Sequence, residues 1–89
     1  VPLIGVEDAI SRLWPEHMHA VIIRPDRRKG EQLVLYTTFP KATRSAIIAF
    51  WKEEKLPELS IPRTLHILPS MPLLGSGKID YKVLNAMEG

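Results

Sequence analysis

Pro69-Ser70-Met71-Pro72-Leu73-Leu74-Gly75-Ser76-Gly77-Lys78-Ile79-Asp80-Tyr81 determines how the C-terminal part of this 89-residue chain must run, and the rest is read outward from it. Pro69 and Pro72 each lock φ and remove a backbone donor, so the approach is extended and no helix crosses it. Gly75 and Gly77 flank Ser76 and open backbone conformations closed to other residues, which lets a tight loop form and come close to a ligand. Asp80 has the side chain of an N-cap, and Tyr81 to Met87 behind it have helical spacing. Lys78 is therefore presented on a glycine loop between a proline-rich extended run and a short helix.

A Gly-Lys pair ahead of a helix invites comparison with a Walker A phosphate loop. That motif needs a glycine five residues before the pair and a Ser or Thr after the lysine. Pro72 and Ile79 occupy those places, so both requirements fail. From the residues alone, the plain alternative is a surface turn whose lysine is solvated.

The run from Leu68 to Asp80 resembles the signature that closes the adenylate-forming enzymes, a superfamily of acyl-CoA synthetases, peptide-synthetase adenylation domains and luciferases. Pro72, Leu74, the Ser76-Gly77-Lys78 run, apolar Ile79 and charged Asp80 carry the likeness. It extends over essentially the whole chain, through Lys29-Gly30-Glu31 with Leu33-Val34-Leu35, and through Leu56-Pro57-Glu58-Leu59 with Ile61-Pro62-Arg63. Near the start, Glu7 matches the second glutamate of a stretch that follows the interdomain hinge in that superfamily. Gly5 stands where the first glutamate would be. The Leu73-Leu74-Gly75-Ser76-Gly77-Lys78 form is most similar to bacterial acyl-acyl carrier protein synthetases that also reacylate lysophospholipids.

The resemblance implies that residues 1–89 are one C-terminal lid domain, with the hinge and a larger N-terminal domain upstream of Val1. It implies that ATP and a carboxylic acid give an acyl-adenylate and pyrophosphate, after which a thiol takes the acyl group. Lys78 is the implied catalytic residue; Gly75, Ser76 and Gly77 shape its loop, and Asp80 anchors it. ATP and Mg2+ are expected mainly on the N-terminal domain, with no cofactor and no activity for the 89 residues alone. In the subgroup the acid is a fatty acid and the thiol belongs to acyl carrier protein. Lysophospholipid reacylation is linked to it, on the cytoplasmic side and in association with the bacterial inner membrane. Another fatty acyl-CoA ligase or a peptide-synthetase adenylation domain is the alternative within the superfamily.

Upstream of the lysine stretch, Val6, Ala9, Ile10, Leu13 and Trp14 recur at helical spacing, with Glu7, Asp8, Ser11 and Arg12 on the other face. This predicts an amphipathic helix with acid in its first turn, ended by Pro15. His19–Arg24 and Gln32–Thr38 are short and β-branched, and predict a hairpin around the loop 25–31. Their nearly continuous apolar character implies that both faces are at least partly covered. Thr43 caps a second predicted helix, Arg44 to about Lys55, with Ile47, Ile48, Phe50 and Trp51 packed and Pro57 ending it. Ile61–Leu68 gives a third strand, with Pro62 near an edge or entry position. The expected architecture is α+β, a small, roughly three-stranded sheet covered by helices.

Several residues admit a site reading beside a plain one. His17 and His19 share one side of an extended chain, as zinc ligands do, but lack a third ligand nearby. Trp51 has the reach to stack on an adenine, yet at this spacing it reads as core, as does Trp14. Arg63, with reach to a carrier's phosphate, and His66 are read as solvated, and Lys82 as surface. Arg27-Arg28-Lys29 supports a second class of function, a free-standing module binding an acidic protein or nucleic acid through a basic hairpin tip. The net charge of +2 is too small to imply nucleic acid by itself. With no cysteine, disulfides and thiolate zinc sites are excluded. No apolar run approaches the ~20 residues of a membrane-spanning helix.

Overall fold

Period-two alternation in two neighbouring segments builds the centre of the molecule. The computed structural model describes residues 3–28 and 30–87, without the side chains of Leu3 and Ile4. Strand β1 (His19–Asp26) pairs antiparallel with β2 (Gly30–Thr37), in a register that sets Val21 against Leu35, Ala20 against Tyr36 and Ile22 against Val34. Opposed residues share a face, so two apolar surfaces result. Val21 and Leu35 pack on one side with Val6, Ala9 and Ile10 of helix α1 (Leu3–Leu13) and Ile47 and Trp51 of helix α2 (Arg44–Glu53). Ala20, Ile22, Val34 and Tyr36 pack on the other side with Met71 and Leu84. Both faces are covered, as the unbroken apolar character of the strands requires.

The chain then crosses through α2 and a short 3-10 turn, Glu58–Ser60, to β3 (Thr64–Ile67), which pairs parallel with β2 and completes the order β1-β2-β3. Helix α3 (Tyr81–Ala86) closes the second face. This is the expected α+β sheet of three strands.

The structure redraws several bounds. Helix α1 begins at Leu3, so Glu7 and Asp8 lie in its second turn and the first turn carries no acid. The hairpin strands run to Asp26 and from Gly30, which shrinks the connection to 27–29, with Gly30 at φ 80° and the Asp26 carboxylate accepting the Arg28 N–H at 3.0 Å. Pro25 therefore lies inside β1. An edge strand tolerates it, because alternate N–H groups there point away from the ladder. Helix α2 stops at Glu53, well before Pro57. Lys55 takes a left-handed φ of 56°, and the Leu56 N–H closes back on the Trp51 carbonyl at 2.9 Å while that of Lys55 reaches Lys52. That pair of bonds is a Schellman stop, made here without glycine. Strand β3 is only the middle of the predicted span; Pro62, fully buried, precedes it.

Of the two tryptophans, Trp51 is core as expected, its indole N–H donating to the buried Ser60 hydroxyl at 2.8 Å. Trp14 is half-buried, just past the end of α1, with its ring 5.2 Å from Phe39 and 5.9 Å from His19. His19 is buried: Nε2 donates to the Trp14 carbonyl at 2.7 Å and Nδ1 accepts from the Thr37 hydroxyl at 2.8 Å. Burial lowers its pKa below 6.5, against the Trp14 hydrogen bond that raises it, and nearby His17 lowers it further. Folding thus favours the neutral ring, and the unfolded chain binds more protons between the folded value and 6.5. Stability should hold above pH 6.5 and fall as pH drops below it. Thermal melts across that range, with His19→Asn showing a shallower slope, check this.

Candidate functional site

From Pro72 to Asp80 the backbone forms a small hairpin. Leu73 bridges Ile79 in antiparallel fashion, the Leu74 N–H donates to the Lys78 carbonyl at 2.7 Å, and the Asp80 N–H donates to Pro72 at 2.9 Å. The Gly77 N–H returns to the Leu74 carbonyl at 2.9 Å, and Gly77 itself lies at φ 89°. The tip is thus the three residues Gly75-Ser76-Gly77, with the left-handed residue last, an arrangement that glycine makes without strain. Gly77 is required by its conformation. Gly75 is not: its φ is not positive, and a Cβ there would meet nothing within 4 Å. Its openness leaves space at the tip, which the other described residues do not fill.

Lys78 follows directly, exposed, its side chain without a hydrogen bond or ion pair to the other described residues. On its C-terminal side Asp80 caps α3 as the sequence predicts, its carboxylate accepting the Val83 N–H at 3.3 Å. Lys82 is exposed, as expected. The hairpin is seated by Met71 and Ile79 on the second face of the sheet. Leu73 and Leu74 project outward beside the lysine, about half exposed.

Two polar contacts that the sequence did not announce hold this segment to the sheet. Arg24, on the same strand face as Ala20 and Ile22, donates from Nη2 to the Tyr36 hydroxyl at 2.7 Å and to the carbonyls of Leu84 and Met87 at the end of α3. A cation there satisfies carbonyls that a helix end leaves open and opposes its negative dipole. At the other end of α3 the Tyr81 hydroxyl donates to Glu7 Oε2 at 2.7 Å, and the same oxygen accepts the Val21 N–H at 2.8 Å. Glu7 therefore leaves the solvated face assigned to it and links α1, the β1 edge and α3. The Tyr81 hydroxyl is pushed up to about 12 by burial, together with its hydrogen bond to Glu7 and that carboxylate's charge. His66 is a different case. Its ring stacks on Tyr36 at 5.1 Å and its Nε2 is buried without a partner among the described residues, so it is not the solvated histidine expected.

The other candidates do not converge on Lys78. Arg63 is exposed, and Lys29 of the basic tip lies outside the described residues. His17 stacks on Phe39, and among the described residues no group of three or more His, Asp and Glu side chains is placed to hold a metal ion. A cavity of about 610 Å³, lined by Ile23, Leu33, Ile48 and Ile61 with Arg44 and Arg63, opens on the α2 side of the sheet, and Lys78 is not part of its wall. Among the described residues no helix is long and apolar enough to cross a membrane.

No family model matches the chain. Among curated proteins it is 34% identical over 84 residues to a linear gramicidin synthase of Brevibacillus parabrevis, covering 91% of this chain and 2% of that protein. It is 35% identical over 82 residues to a methyl-dioxo-octahydro-indenyl propanoyl:CoA ligase of Rhodococcus jostii, covering 89% of this chain and 16% of the ligase. The chain thus spans a small part of the length of these relatives. Among solved structures it resembles MbtA of Mycobacterium smegmatis, with TM-score 0.82, 22% identity, and coverage of 96% of this chain and 17% of the other. The amide bond synthetase McbA of Marinactinospora thermotolerans gives 0.78 at 23% identity, with 94% and 17% covered. Together these indicate the C-terminal domain of an adenylate-forming enzyme, of the kind found in peptide synthetases and acyl-CoA ligases. They lend no support to the narrower acyl-acyl carrier protein synthetase and acyltransferase assignment.

Proposed function

We propose that residues 1–89 serve as the lysine-bearing lid of an ATP-dependent acid–thiol ligase, whose hinge and larger nucleotide-binding domain lie outside them. The observation that carries this reading is the Lys78 side chain: exposed, unpaired among the described residues, and presented directly after the tip of a backbone-closed glycine hairpin. In the first half-reaction a carboxylate oxygen attacks the α-phosphorus of ATP and pyrophosphate leaves, so two anions must meet. A compact ammonium beside both offsets their repulsion and stabilises the charge that shifts in the transition state. The open tip at Gly75 lets the loop enter a narrow cleft, and the cap at Asp80 fixes where the lysine emerges. In the second half-reaction a thiol attacks the acyl carbonyl and AMP departs. ATP and Mg2+ are assigned to the larger domain, on the likeness of the lysine motif to that of the adenylate-forming enzymes.

For the acid and thiol, the named relatives favour an amino-acid-activating peptide synthetase or a CoA ligase over fatty acid and acyl carrier protein. The narrower reading, with lysophospholipid reacylation, rests on the Leu73–Lys78 wording of the motif. Carboxylate-dependent exchange of pyrophosphate into ATP, run on the complete protein with amino acids and with fatty acids, separates the two. The complete protein should exchange and the 89 residues alone should not. Exchange by the isolated residues would overturn their assignment as a lid, and no exchange with any acid by the complete protein would overturn the ligase reading.

A further inference from the structure

The segment that carries Lys78 has little of its own to stand on. Helix α3 is six residues long, below the length at which a helix persists unaided, and Leu84 is its one fully buried side chain. The hairpin before it is closed by its own backbone bonds, which fix its shape but not its direction relative to the sheet. Met71, Ile79 and Leu84 seat the segment on the sheet, and polar links out of it add to that packing. Arg24 holds the far end of α3. Among the described residues, the side-chain hydrogen bond nearest Lys78 that leaves the segment is the one from Tyr81 to Glu7, 2.7 Å long and joining residues 74 apart in sequence. Glu7 is itself immobilised by α1 and by the Val21 N–H. Arg24 at one end and Glu7 at the other thus tether α3 to the sheet at both ends.

We infer that Tyr81, through its hydroxyl on Glu7, is a positioning residue for Lys78: it aims the lysine without touching substrate. The inference rests on the proposed role of Lys78. A small error in that aim matters, because misplacing a reacting group by about 1 Å can slow a reaction ~100-fold. The loss should fall on the step that uses the lysine and spare the other.

The test measures acyl-adenylate formation and acyl transfer from pre-formed adenylate separately, in the complete enzyme. Tyr81→Phe, which keeps the ring and removes one hydroxyl, should slow adenylate formation about 10-fold. KM for the acid, the transfer step and the melting temperature should stay close to those of the parent. Glu7→Ala, which also releases the Val21 N–H, should slow the same step, and the double variant should be no slower than Glu7→Ala, since both substitutions remove the same Tyr81–Glu7 bond. Full-rate adenylation by Tyr81→Phe, equal loss in both half-reactions, or additive losses in the double variant would each overturn the inference. Lys78→Ala runs beside them: if it spares adenylation, the reading of the lysine itself fails, whatever Tyr81→Phe does.

Discussion

Replacing Trp51 by alanine is expected to cost about 3–5 kcal/mol, most or all of the stability of a sheet this small. Trp51 is 1% exposed and sits where α2 meets Val21 and Leu35, with α1 beyond. Its removal leaves a cavity the neighbours cannot refill. It also removes the indole donor from the Ser60 hydroxyl, which keeps only its own bond to the Pro57 carbonyl at 2.7 Å. Those two bonds hold the turn which feeds β3, so loss of the indole loosens the entry to the third strand as well. Denaturant unfolding of the 89 residues checks it, and a variant as stable as the parent would mean that α2 is not the main support of that face. Trp14→Ala should cost less, because Trp14 is half-buried and beyond the helix.

The element order was legible because its signals are local. Thr43 and Asp80 cap the helices they precede, each accepting the backbone N–H three residues on. Pro69 and Pro72 keep the approach to the hairpin extended. What was not legible depends on residues distant in sequence or on a backbone state without a characteristic side chain. Lys55 in a left-handed conformation ends α2, and nothing in a lysine announces that. The parallel pairing of β2 with β3 is set by how α2 folds back, which no window of sequence contains. The Glu7–Tyr81 bond joins two helices at opposite ends of the chain.

Two of the missed contacts did leave traces. Arg24 continues the alternation of Ala20 and Ile22, which places it on a packed face and calls for a buried partner. Glu7 lies three residues before Ile10, at the margin of the buried stripe of α1, where a carboxylate is within reach of the sheet edge. At the lysine hairpin, the sequence indicated the loop, the cap and the exposed lysine. It overstated Gly75, whose backbone needs no glycine and whose openness bears only on what approaches from outside.

Lys78→Ala in the complete enzyme is expected to slow acyl-adenylate formation by ~10²–10³, roughly 3–4 kcal/mol of transition-state stabilisation. Folding should be unaffected, because the side chain is exposed and without a partner among the described residues. Lys78→Arg should recover only part of the rate, since a broad guanidinium fork cannot take the place of a compact ammonium. The decisive measurement is the ratio of the two half-reactions on purified Lys78→Ala. Adenylate formation slowed ~10²–10³ with transfer from pre-formed adenylate near the parent rate is the result this account predicts. Equal loss in both steps, or none in either, would contradict it.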